Sequence, residues 1–161
     1  RADGNTATVV TQIGQYQPTT KQLRIYSRLA VEVFYNDSPD QTAPTIQLVN
    51  GLYGSNGQVQ VKVGATDESG IRQVTIAYIN PSDPTRLQTQ DLTFDPAAQV
   101  WTGLFSGSPA TRYFVQVVDQ AGNVTTAHNK GRYYTPSDGM QRALPLPTCS
   151  GACVFLPMVT R

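Results

Sequence analysis

Histidine, cysteine and charge are the scarce materials of this chain. Its 161 residues include one histidine, His128, and two cysteines, Cys149 and Cys153, so zinc or haem ligation has almost no donors to draw on. No glycine-rich phosphate loop, Gly-x-Ser-x-Gly elbow or His-Glu-x-x-His helix occurs, and neither cysteine has a histidine nearby in sequence. The chain is therefore expected not to be an enzyme and to need no cofactor for catalysis. Charged residues make up 14%, against roughly 25% in an average soluble domain. Glutamate occurs at Glu32 and Glu68 only and lysine at Lys21, Lys62 and Lys130 only, so the Glu/Lys surface of exposed helices is missing. Lys+Arg 12 against Asp+Glu 11 leaves a formal charge of +1, which removes any electrostatic case for nucleic acid or an anionic membrane. No run approaches the roughly 18 apolar residues of a membrane span. The longest, Ala152 to Val159, is broken by Pro157.

What fills the space is threonine, valine, glutamine, tyrosine, Gly 13 and Pro 11, the β-branched, aromatic and turn-forming composition of an all-β protein. The length suits one domain with an appendage and a core that needs no disulfide framework. The first residue is Arg1 and no apolar signal-like run follows, so the chain is expected to be a processed product or an excised segment of a longer parent.

Residues 6 to 36 contain two strand-like runs, Thr8 to Gln17 and Leu23 to Tyr35, joined by Pro18-Thr19-Thr20-Lys21. They are expected to form a long hairpin over residues 1–36. In the second run Leu23, Ile25, Leu29, Val31, Val33 and Tyr35 share odd positions while Arg24, Arg28 and Glu32 take even ones, the period of a half-buried strand. An isolated hairpin is marginal in water, so its apolar face needs a partner. Residues 37–44, polar and with prolines at 39 and 44, read as a short semi-rigid linker. Over residues 45–136 seven short strands are expected: Thr45 to Val49, Gln58 to Ala65, Arg72 to Asn80, Arg86 to Phe94, Val100 to Phe105, Arg112 to Val118 and Asn123 to Tyr134. Turns are explicit at Ser55-Asn56-Gly57, Asp67-Glu68-Ser69-Gly70, Asn80 to Pro84 and Asp95 to Ala98. Seven strands at that spacing predict an antiparallel β-sandwich. Residues 137–161 read as an extended, Pro-rich C-terminal tail with an apolar strand.

Thr42-Ala43-Pro44-Thr45-Ile46, Val61 to Ile71 and Tyr113 to Val124 resemble bacterial extracellular immunoglobulin-like or fibronectin-type-III-like repeats, in which an Ala-x-Asp-x-Ser-Gly step and an Asp-x-Ala-Gly-Asn turn recur together. The resemblance covers residues 42–135 and implies an immunoglobulin-like sandwich in an extracellular or cell-surface protein, without the usual inter-sheet cysteine pair. Two shorter resemblances accompany it. Gln15-Tyr16-Gln17-Pro18 with Leu23 to Leu29 is similar to prodomain strands of secreted gingipain-type cysteine peptidases, and Val154 to Val159 is similar to the carboxyl terminus of many exported proteins of filamentous phototrophic bacteria.

In an immunoglobulin-like sandwich the second-to-third and sixth-to-seventh strand connections lie at one pole, which would bring Asp67 near Asp119 and Asn123, with Asp37 and Asp40 of the linker entering from that side. These are oxygen donors. Calcium takes six to eight of them, and resemblance to cadherin-like modules would give such an ion the task of stiffening the junction. The same residue types equally serve as Asx caps that bond their own turns. Trp101 is expected to be a packing residue, with a sugar-binding platform as the lesser reading. His128 is expected to be a bystander. Asn36-Asp37-Ser38 and Asn123-Val124-Thr125 fit the glycosylation acceptor pattern and are expected to be unmodified.

Cys149-Ser-Gly-Ala-Cys153 admits a local disulfide across a Gly-containing turn in an exported protein, whereas reduced thiols would fit a cytosolic one. Beyond it Val154, Phe155, Leu156, Met158 and Val159 form a strand-prone run that would either fold back on its own sandwich or add a strand to a neighbour's open edge. The sequence therefore reads as a non-catalytic structural or adhesive module that associates with itself or with neighbouring domains, by strand complementation in a filament or surface layer. The alternative is a C-terminal accessory domain of a secreted hydrolase of the peptidase type. A carbohydrate-binding module built on Trp101 is the third reading.

Overall fold

The structure, a computed structural model, describes residues 10–28, 30–34, 37–136 and 140–141. The chain divides between Phe34 and Tyr35 into two compact units. In the first, β1 (Gly14–Gln17) and β2 (Gln22–Ile25) pair antiparallel, with Tyr16 opposite Leu23 and Gly14 opposite Ile25. Lys21, at φ 55°, takes the left-handed position that closes the turn. Strand period places Tyr16, Leu23 and Ile25 on one face, and they are 62%, 61% and 66% exposed. The hairpin is shorter than the expected arms: one further backbone bond, Tyr26 N to Ile13 O at 2.8 Å, extends it, and Val31 and Val33 lie beyond it, exposed.

The second unit contains β3 (Thr45–Tyr53), β4 (Gln58–Thr66), β5 (Ile71–Ile79), β6 (Leu87–Asp91), β7 (Thr93–Asp95), β8 (Val100–Ser106), β9 (Arg112–Asp119), β10 (Val124–Ala127) and the two-residue β11 (Met140–Gln141). They form two antiparallel sheets, β10-β9-β5-β6 and β11-β3-β4-β8-β7. Alternation decides what each sheet buries. In β4, Val59, Val61 and Val63 are fully buried, while the alternating Gln58, Gln60 and Lys62 are half-buried on the other face. Val74 and Ile76 of β5 and Val115 and Val117 of β9 join them in one cluster, so the core lies between the sheets. Each of these valines stabilises the fold by roughly 1.5–3 kcal/mol relative to exposure. Phe105 and Tyr78 stack across the core with ring centroids 4.1 Å apart, and Tyr113 meets Tyr134 at 5.7 Å. The protein is thus all-β, an antiparallel sandwich preceded by a β-hairpin. Its sheet orders fit the immunoglobulin-like arrangement, A-B-E-D over G-F-C, with one strand added to each sheet, β11 beside β3 and β6 beside β5. The expected tail beyond Gln141 lies outside the described residues.

Two expected strands end differently. The run Arg86 to Phe94 is not one strand: β6 pairs with β5 in one sheet, β7 pairs with β8 in the other, and Leu92 between them turns inward at 6% exposure. Leu87 stays exposed in β6, whereas Leu92, at the crossover between the sheets, is carried into the core. The last expected strand stops at Ala127. Asn129, Lys130 and Gly131, at φ 49°, 54° and 84°, reverse the chain through a 3-10 turn, and Tyr134 returns to bridge Tyr113. The left-handed residues are costly outside glycine. Burial of Tyr133 against Phe114 and of Tyr134 against Tyr113 offsets that cost.

Candidate functional site

Register brings three connections to one pole. Thr45 pairs with Thr66, which sets the end of the linker beside the end of β4, and Ile71 pairs with Asp119, which sets the start of β5 beside the end of β9. Gln120 N donates to Gly70 O at 2.9 Å and ties the β4–β5 loop to the β9–β10 turn. Asp40, Asp67 and Asp119 consequently each present a carboxylate oxygen, and the three oxygens lie within 4.8 Å of one another. Asp37, exposed, is not one of the three.

Each carboxylate also shapes its own loop. Asp67 Oδ1 accepts from Ser69 N at 2.9 Å and Ser69 Oγ at 2.7 Å, in a turn that Gly70 closes at φ 88°. Asp119 is fully buried; its Oδ1 accepts from Asn123 N at 2.8 Å and its Oδ2 from Asn123 Nδ2 at 2.9 Å. Asp40 Oδ1 accepts from Thr42 N at 2.8 Å. The Asx-cap reading therefore describes half of what these groups do. The other half is Asp40 Oδ2, which is enclosed and accepts no hydrogen bond.

Electrostatics follow from these contacts. Burial pushes the Asp119 carboxyl above its usual range, the two bonds from Asn123 pull it back, and the charges of Asp67 and Asp40 push it up again. A carboxyl with a raised folded pKa costs stability while ionised, and the cost is relieved as the pH falls through the folded value. Asp40 is held below the usual range, first by the Thr42 N–H. Ser69 lies near enough to lower it further but makes no sound hydrogen bond to Oδ2. Three acids of one sign around an enclosed, unpaired oxygen fit a hard cation. Oxygen ligands 2.3–2.6 Å from a shared calcium lie at most about 5 Å apart, which the three carboxylates satisfy.

Asn123, read from sequence as a further oxygen donor, works here through its amide nitrogen, which donates to Thr42 O at 3.0 Å and to Asp40 O at 3.2 Å besides Asp119 Oδ2. Its bond to the linker is the feature that sequence reading missed. The spacing Asp119 to Asn123 was visible as a turn signal, whereas the linker lies about eighty positions upstream.

Trp101 packs half-buried against the core, and the exposed Phe94 lies over it at 5.4 Å, as expected of a packing residue at a strand pair. His128 Nδ1 accepts from Gly131 N at 2.7 Å and so caps its own 3-10 turn. A hollow of about 270 Å³ at the β3–β4 tip is lined by Leu52, Tyr53, Gly54, Asn56, Gln58, Gln60 and Leu104 and holds no carboxylate, imidazole or thiol. Asn36, Cys149, Cys153, Val154, Phe155, Leu156, Met158 and Val159 lie outside the described residues. Comparison with protein-family models, with curated proteins and with solved structures finds no match to this chain.

Proposed function

We propose that the chain is a non-catalytic extracellular module of the immunoglobulin-like type, structural or adhesive in role, whose linker is stiffened against the sandwich by a calcium ion. One observation carries the reading: a carboxylate from the linker converges with two from the sandwich loops, and one of its oxygens, Asp40 Oδ2, is enclosed without a partner. Asp40, Asp67 and Asp119 would hold the ion, with carbonyl or water oxygens completing its shell. The ion would supply charge neutralisation and rigidity, and no bond-making step. The sole histidine contributes to this reading by spending its Nδ1 on its own turn. Extracellular calcium modules work with dissociation constants of about 10⁻⁴ to 10⁻³ M, a range that a three-carboxylate site suits.

Isothermal titration of chelator-treated protein with calcium chloride tests this, alongside thermal melting. A one-site heat and a rise in melting temperature are expected, with a gain of about 2.7 kcal/mol at a hundredfold excess over the dissociation constant. Asp67→Asn should weaken both. No heat and an unmoved melting temperature would remove calcium from the reading.

A further inference from the structure

We propose that Asn56 is a modification site: in the exposed turn between β3 and β4 this asparagine converts, without an enzyme, to aspartate and isoaspartate, while the same Asn-Gly pair within β3 is protected by the sheet. The inference is independent of the calcium reading.

Asn-Gly occurs at two places, Asn50-Gly51 and Asn56-Gly57. Glycine leaves its backbone nitrogen unshielded by a Cβ, and that nitrogen can attack the side-chain carbonyl carbon of the asparagine before it, an intramolecular step favoured by proximity. The bond that forms joins the glycine N to the asparagine Cγ, and the bond that breaks is Cγ to Nδ2. The proton lost from the glycine nitrogen leaves with the amide nitrogen as ammonia. One water then opens the five-membered imide, at the side-chain carbonyl to give aspartate or at the backbone carbonyl to give isoaspartate. Water is the only co-reactant.

Ring closure requires the peptide plane between asparagine and glycine to turn until the nitrogen faces Cγ. At 56–57 little opposes this. Asn56 is exposed, and a Cβ on Gly57 would meet nothing within 4 Å. The Gly57 N–H donates to Gly54 O at 3.2 Å, a long bond to give up. Gly57 sits at φ 76°, and the freedom of a glycine lets the plane turn while Gly57 O keeps its bond from Gly107 N at 3.0 Å. The carbon to be attacked is also polarised: Asn56 Oδ1 accepts from Gln58 N at 3.2 Å, a donor placed on the oxygen that gains negative charge during addition.

At 50–51 the same rotation is opposed on every side. Gly51 is buried in β3 opposite Val61, and Asn50 lies between Lys62 of β4 and Met140 of β11. The Tyr113 hydroxyl lies against Gly51. Turning that plane breaks ladder bonds and drives into a buried ring, so Asn50 reacts only when the sheet opens locally.

Conversion changes the hollow at this tip, whose lining, Asn56 included, holds no charged group. Either product sets a carboxylate at its rim and removes the Nδ2 donor from which Gln58 Oε1 accepts at 3.1 Å. Isoaspartate also lengthens the backbone of the turn by one methylene.

The full chain, incubated for weeks in mildly alkaline buffer with chelator, folded and in parallel in urea, tests this by peptide mapping with mass spectrometry. Tyr53 lies between the two asparagines, so chymotryptic peptides report each one separately. In the folded chain Asn56 should gain the mass of amide-to-acid conversion at least about tenfold faster than Asn50. In urea the two rates should converge, because the sheet that separates them is gone. Two products of equal mass that elute apart are expected from Asn56, since the imide opens both ways, whereas direct hydrolysis gives aspartate alone. Equal rates at the two sites in the folded chain would overturn the proposal. So would an Asn56 that stays intact in the folded chain while the urea sample converts.

Discussion

At the residue scale the fold is decided by places where an atom more or less changes the answer. Gly51 is one: a Cβ there would run into the Tyr113 hydroxyl, whose ring is 1% exposed and flanked by Phe105 and Tyr134. Gly103 is another, since a Cβ would come within 2.6 Å of the Leu92 side chain. Neither needs an unusual φ; both are glycine because an aromatic ring and a leucine occupy the volume. Thr126 shows the opposite fault. It is 2% exposed and its hydroxyl has no hydrogen-bond partner, so the fold carries the desolvation cost of that group. Thr126→Val removes the hydroxyl at nearly constant shape and is expected to stabilise by about 1 kcal/mol, read as a higher urea midpoint with an unchanged slope. A lower midpoint would mean that the hydroxyl is satisfied in solution. Sequence alone does not flag Thr126, because threonine is as common on an exposed strand face as on a buried one.

Among the elements, the passage from β6 to β7 has the most to explain. Leu92 N donates to Val74 O at 2.8 Å as the chain leaves one sheet, and the Leu92 side chain fills the core as the chain joins the other. Leu92→Ala is expected to cost about 2–5 kcal/mol, the range for a buried leucine whose cavity collapses incompletely. Chemical denaturation checks this, and a loss below about 1 kcal/mol would show that the switch is held by β7 pairing instead. Strand positions were legible from period and turn chemistry: Val59, Val61 and Val63 announce their face without help. The sheet to which each half of 86–94 belongs was not, because alternation records which side of a ribbon is apolar and says nothing of which ribbon lies alongside. The early stop at Ala127 was hidden for a related reason, since the left-handed turn at Asn129 and Lys130 goes with the burial of Tyr133 and Tyr134, a tertiary outcome.

For the whole molecule the open question is what the exposed apolar material meets. The first unit carries Arg1, Lys21, Arg24 and Arg28 against Asp3 and Glu32, whereas residues 35–136 carry eight acids against six bases. Should copies associate, a basic hairpin unit and a sandwich of net acidic charge would suit head-to-tail contact better than a closed pair of like surfaces. Light scattering with negative-stain microscopy, on the chain with and without residues 143–161, is expected to show polymers that are lost on truncation. Leu23→Asp on the hairpin face should likewise reduce them. A stable monomer in every case would sink the assembly role and favour an accessory domain of a larger secreted enzyme.

Composition, strand period and turn residues by themselves determined that this protein is all-β, where most of the strands over residues 45–127 lie, and that acidic loops punctuate them. Those are local properties, set by interactions within a few residues of chain, and Asp67-Glu68-Ser69-Gly70 and Asp119 to Asn123 state them openly. Only the tertiary structure decided that Asp40 meets Asp67 and Asp119, and that Asn123 grips a linker some eighty residues upstream. That outcome depends on the register of β3 on β4 and of β5 on β9 and on which strands become neighbours. Register follows from summed burial over whole strands, a quantity that no single motif in the sequence contains.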